Sequence, residues 1–102
     1  MSIDARLEEL KRDLADSIKK HGQNSAEAEG ALYLYAGYLR KRNRGLEAVP
    51  LYGRQLGSQM ARRSSRSGLA ETCGDIGKTL EQSGRPVQAL EWYRLEHEFK
   101  KR

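Results

Sequence analysis

The stretch CGDIGKTLEQSGRPVQALEWY, residues 73–93, decides how this chain folds. Small residues stand at Gly77 and Ala89. Large ones stand at Ile76, Leu80, Trp92 and Tyr93, and Ser83-Gly84-Arg85-Pro86 separates the two groups. Glycine just past a helix end and proline at a first helical position are the favoured punctuation of a helix–turn–helix. The pattern predicts one helix over about 68–82 and a second over about 86–100.

Sliding the chain against itself by 41 residues repeats this stretch over residues 32–52, LYLYAGYLRKRNRGLEAVPLY. Leu32 falls on Cys73, Tyr35 on Ile76, Ala36 on Gly77 and Leu39 on Leu80. Glu47 falls on Gln88, Ala48 on Ala89, Val49 on Leu90 and Tyr52 on Tyr93, and Leu10 falls on Leu51 and then on Trp92. The matched positions are mostly small or apolar, as a repeated packing pattern demands.

Helical periodicity fills in the remaining elements. Ile3, Leu7, Leu10, Leu14 and Ile18 place an apolar stripe on a helix over about 3–20, closed by His21-Gly22. Asn24 and Ser25 offer capping oxygens, with Glu27 three residues after Asn24 as in a capping box. A second helix over about 25–42 carries Ala28, Leu32, Tyr35, Ala36 and Leu39, with Tyr33, Leu34 and Tyr38 widening its apolar surface. Asn43-Arg44-Gly45 marks a turn. A third helix follows over about 46–62, with Pro50 near its first turn, and Ser67 is the expected cap of the fourth. No strand-type alternation occurs. The expectation is an all-α chain of about five helices, a short α-α superhelix of antiparallel pairs. Residues 1–22 form an N-terminal capping helix, 23–66 one helix pair and 67–102 a second.

The run Ile76-Gly77, Leu80, Gly84, Ala89, Trp92-Tyr93 resembles the tetratricopeptide repeat (TPR), and Ala36, Leu39, Ala48 and Tyr52 fit the same pattern. Asn43 stands where the family has its turn glycine, a position that asparagine can take in the left-handed region. A period of about 40–42 residues, longer than the common 34, is similar to the kinesin light chain group and the Leu-Gly-Asn polarity adaptors. Glu47-Ala48-Val49-Pro50-Leu51-Tyr52 resembles the start of a kinesin-light-chain helix B. The resemblance implies a concave groove that binds a partner peptide or helix, with groove positions on the first helix of each pair. Carried over, these fall on Tyr33, Gly37, Arg40 and Lys41, then on Glu71, Gly74, Asp75 and Lys78. Tyr33 and Gly37 replace the Lys and Asn with which chaperone-binding members hold a terminal carboxylate. Trp92 is a further partner-contact candidate, because no following repeat covers the last helix.

Composition narrows the function classes. Hydrophobic residues make up 37% and charged ones 32% of 102 residues, which is polar for a compact globule and normal for a thin helical array. A net charge of +5 permits an acidic partner. Three basic clusters, at 40–44, 62–66 and 100–102, sit at helix ends, where cations complement the helix dipole. Aromatic residues are not interleaved with them as base stackers, so nucleic-acid binding is disfavoured. Cys73 is the one cysteine; it aligns with a core position and allows no intrachain disulfide. No membrane-spanning run, secretory signal, metal-ligand spacing, phosphate loop or nucleophile set occurs. The expectation is a non-catalytic, cofactor-free, cytoplasmic adaptor. The competing readings are a homo-oligomeric structural unit and a basic nucleic-acid-binding accessory.

Overall fold

The computed structural model describes residues 4–101, and among these it contains five helices and no strand. They are α1 (Ala5–His21), α2 (Ala26–Lys41), α3 (Gly45–Ala61), α4 (Arg66–Gln82) and α5 (Pro86–Lys100). Ile3 lies outside the described residues. Each helix packs chiefly on its sequence neighbours, α1 on α2, α2 on α3, α3 on α4 and α4 on α5. The Cα positions extend 45 × 33 × 13 Å, so the array is thin and most helices keep an open face. This is the expected all-α arrangement of helix pairs.

Local chemistry sets the helix ends. The Asp4 carboxylate accepts from Leu7 N–H, Ser25 Oγ from Ala28 N–H and Ser65 Oγ from Gly68 N–H, each at 3.1 Å. These bonds satisfy donors that a helix start leaves without partners. Two expectations change here. Ser25, not Asn24, caps α2, so the Asn24–Glu27 box does not form. Ser65, not Ser67, caps α4, which therefore starts at Arg66. Pro50 lies in the second turn of α3 because that helix already begins at Gly45.

The three turns after α2, α3 and α4 share one geometry. Asn43, Arg63 and Gly84 have φ of 60°, 55° and 78°. The following N–H groups, of Arg44, Ser64 and Arg85, each donate to a carbonyl five residues back (Leu39, Gln59 and Leu80) at 2.8 Å. This closure pattern suits glycine and tolerates asparagine. Arginine at position 63 carries the steric cost of a left-handed residue. Arg63→Gly is expected to raise stability by about 0.5–1 kcal/mol, after allowing for the added freedom of the unfolded chain. Chemical denaturation followed by circular dichroism measures it; a loss of stability would show that the Arg63 side chain contributes more than its backbone costs.

The core follows the repeat. Leu7, Ala36, Leu39, Ala48, Tyr52, Ile76, Leu80 and Ala89 form one cluster, with Tyr35, Tyr38, Trp92 and Tyr93 packed on it. Helix α4 is the central element. It buries Leu69, Ala70, Cys73, Gly74, Ile76, Gly77 and Leu80 between α3 and α5. Cys73 is fully buried as expected, and burial pushes its thiol pKa up, away from thiolate chemistry. By contrast α5 buries only Ala89 completely, and Val87, Leu90 and Leu95 are exposed.

Candidate functional site

The side of α2 turned away from the core carries Tyr33, Leu34, Gly37 and Lys41, close to one another because helix neighbours lie three and four residues apart. Tyr33 and Leu34 are about half exposed, at 49% and 58%. A Cβ built on Gly37 meets no atom within 4 Å, so this face is bare at its centre. Arg6 and Leu10 of α1 border it on one side, Arg40 and Gln82 on the other. Together they enclose a groove of about 650 Å3. That volume falls within the range of ordinary ligand clefts.

Arg40 is held in place at the groove edge. Its guanidinium donates to Tyr52 Oη at 3.4 Å and to Gln82 Oε1 at 3.2 Å, and it lies 6.0 Å from the centre of the Tyr52 ring. Burial raises the Tyr52 pKa, and the Arg40 hydrogen bond and charge oppose that rise. On the α1 side the Tyr38 hydroxyl donates to both Asp4 carboxylate oxygens at 2.8 Å. This hydrogen bond, helped by Leu7 N–H, holds the Asp4 pKa below its usual value.

A smaller compartment of about 330 Å3 continues from Tyr33. Its walls are Glu29 and Tyr33 of α2 and Glu71 and Asp75 of α4. Its floor includes Gln55 and Gln59 of α3. Gln59 and Gln55 are buried and joined through Thr72. Thr72 Oγ1 donates to Gln59 Oε1 at 2.7 Å, and Gln55 Nε2 approaches Thr72 Oγ1 at 3.4 Å. Gln59 Nε2 donates to Glu29 at 3.1 Å, and Glu29 also pairs with Arg62. Gln55 Oε1 is buried without a donor. Burial pushes the half-buried Asp75 carboxyl up; Arg40 and Lys78 oppose the shift, and Glu71 and Glu96 add to it.

Tyr33, Gly37, Arg40 and Lys41 thus share the larger groove, and Glu71 and Asp75 share the smaller compartment with Tyr33. Lys78, three residues on from Asp75, lines neither. Gly74 is buried against the Glu96 carboxylate of α5. Trp92 is half-buried on the core cluster, away from the groove. Sequence reasoning missed the α1 border and the α3 floor. The floor carried a signal: Gln55 and Gln59 continue the spacing of Ala48 and Tyr52, which places two amides on a buried face.

No family model matches the chain, and no curated protein matches it. The site therefore rests on its own geometry and chemistry.

Much of the basic character is engaged within the chain. Arg42 stacks on Tyr38 at 5.6 Å and lies 3.8 Å from Asp4, and Arg44 pairs with Glu47 at 2.6 Å. Arg66 donates to the carbonyls of Glu98, Phe99 and Lys101, closing the end of α5, and stacks on Phe99. Among the described residues no three of His, Cys, Asp and Glu gather to hold a metal ion, and no helix is long and apolar enough to cross a membrane.

Proposed function

We propose that this chain is a TPR-like interaction module whose concave face, from α1 across α2 to α4, receives a segment of a partner protein. The repetition supports the repeat reading. A shift of 41 residues carries α3's first residue, Gly45, onto α5's first, Pro86, and carries Asn43 onto Gly84 in the same turn geometry. One observation carries the docking reading: Tyr33 and Leu34 stand exposed beside the bare backbone of Gly37, inside a groove lined by residues of four helices, α1 to α4. An exposed aromatic in a concavity can supply much of a binding energy. Glycine in a helix interior costs about 0.5–1 kcal/mol relative to alanine. Gly37 incurs that cost with no intrachain neighbour to accommodate, which fits a face kept low for a docked segment.

In this reading the module has no catalytic role. Its partner is a protein or peptide. The Lys41 and Arg40 end favours acidic groups, although Arg40 is already bonded to Tyr52 and Gln82. Engagement of Arg40, Arg42, Arg44, Arg62 and Arg66 within the chain weighs against a nucleic-acid role, since phosphate binding needs free cations.

The test uses peptides selected from a random displayed library on the full chain. Gly37→Glu puts a charged side chain into the groove where a Cβ meets nothing, so the fold is retained. The expected result is loss of peptide binding with unchanged helicity.

A second reading, self-association, is favoured by one observation. The outer face of α3 carries exposed Leu46 and Met60 beside Gly53 and Gly57, where a built Cβ meets nothing within 4 Å. A solution mass that falls on dilution would support it.

A further inference from the structure

Resting on the docking reading above, we infer that the compartment between Tyr33, Gln55, Glu71 and Asp75 holds one basic side chain, an arginine or a lysine, of the docked segment. Three independent features of the compartment ask for a cationic donor.

The first is charge. Of the three carboxylates lining the compartment, Glu29 is engaged by Arg62 and Gln59. Glu71 and Asp75 make no ion pair among the described residues. Arg40 and Lys78 lower the Asp75 pKa through space without bonding to it, and burial outweighs them. An unpaired carboxylate in a partly desolvated place is unfavourable until a cation joins it.

The second is a missing donor. Gln55 is only 6% exposed, and its Oε1 has no hydrogen-bond partner. Buried carbonyl oxygens are nearly always satisfied, and leaving one without a donor is unfavourable. Its neighbours donate elsewhere. Thr72 Oγ1 donates to Gln59, and Gln59 Nε2 donates to Glu29. Gln55 lines the compartment, so a turn of its amide would bring Oε1 to a donor seated there.

The third is the ring. Tyr33 lines both the larger groove and this compartment. A cation next to an aromatic face is attracted to it, more strongly once desolvated. Guanidinium offers five donors in a planar fork and ammonium offers three, so either supplies donors to two carboxylates and one carbonyl. An acidic or purely aliphatic side chain would leave Gln55 unsatisfied and Asp75 unpaired. The concave face is therefore bipolar. Lys41 and Arg40 stand at one end, Glu71 and Asp75 at the other, and Tyr33 lies between them.

A double-mutant cycle tests the assignment, with the full chain and the library-selected peptides as probes. The selected peptides are expected to share one arginine or lysine. Replacing it by norleucine should weaken binding about tenfold to the native chain, as loss of a close charge pair does. The same replacement should change binding less than twofold in a Glu71→Gln, Asp75→Asn chain. These near-isosteric changes leave the fold intact, which circular dichroism verifies. Equal losses in both chains, or peptides without a shared basic residue, would overturn the assignment while leaving the docking reading in place. Peptides that bind the Gly37→Glu chain unchanged would instead overturn the docking reading, and the basic-residue assignment with it.

Discussion

Gly77→Val is expected to destabilise the chain by about 3 kcal/mol, with a fall in Tm of roughly 12–24 °C. A Cβ at position 77 would stand 2.7 Å from Tyr93 Cε1 and 2.9 Å from Cδ1, closer than real contacts allow. The ring cannot swing aside freely. Its hydroxyl donates to Glu81 Oε1 at 2.7 Å, a bond that holds the phenol pKa up to about 12, and the ring packs on the core. Relief therefore requires α5 to move off α4, which uncovers Ala89 and Ile76. A control separates this clash from the general effect of replacing a helical glycine. Gly37→Ala, where a Cβ meets nothing, should instead stabilise by about 0.5–1 kcal/mol. Thermal melts of the two variants measure the contrast. If both shift in the same direction, close approach of α4 and α5 is not what fixes residue 77.

Tyr52→Ala is expected to cost about 3–5 kcal/mol, the range for removing a large buried aromatic. Tyr52 is 1% exposed and belongs to the core cluster that joins α1 through α5. Its loss leaves a void that α3 cannot close without drawing Ala48 away from the other helices. It also frees Arg40, which now donates to the phenol oxygen and stacks on the ring. Tyr52→Phe retains the ring and loses only that long hydrogen bond, at a cost of about 1 kcal/mol or less. Urea unfolding of both variants gives the difference. A Tyr52→Ala cost near that of Tyr52→Phe would mean that the hydroxyl, and not the buried ring, is what matters at this position.

The elements most legible in the sequence were those where several local signals agreed. Pro86 and Gly84 fixed the α4–α5 turn, and Asn43 took the left-handed position that the repeat demanded of it. The 41-residue shift related the two helix pairs because packing positions repeat even where identities do not. Legibility failed where one signal had several carriers. Three serines lie between Ser58 and Gly68, and nothing local distinguishes Ser65 from Ser67 as the cap; Arg63 gives no hint of its positive φ. At Asn24-Ser25 two capping residues compete, and the backbone extends at Ser25.

The candidate site was legible in half. Residues on a single helix face, Tyr33, Gly37, Arg40 and Lys41, can be grouped by periodicity alone, and the structure brings them to one groove. The contributions of α1 and α3 depend on how helices stack, which no periodicity within α2 encodes. Lys78 rests on the family's groove positions and Trp92 on the lack of a following repeat over the last helix, and neither residue lines the groove. Gln55 and Gln59 read as ordinary polar residues until the burial of the α3 face shows that they must satisfy one another.

The proposed function requires that a partner segment docks on the groove face of α2. The most direct test is the affinity of library-selected peptides for the native chain and for Gly37→Glu, read by fluorescence anisotropy alongside circular dichroism. Docking at this face requires a loss of about a hundredfold or more, equivalent to roughly 2.8 kcal/mol, with helicity and Tm unchanged or slightly raised. Undiminished affinity in a folded Gly37→Glu chain would contradict it and move the binding surface elsewhere on the molecule.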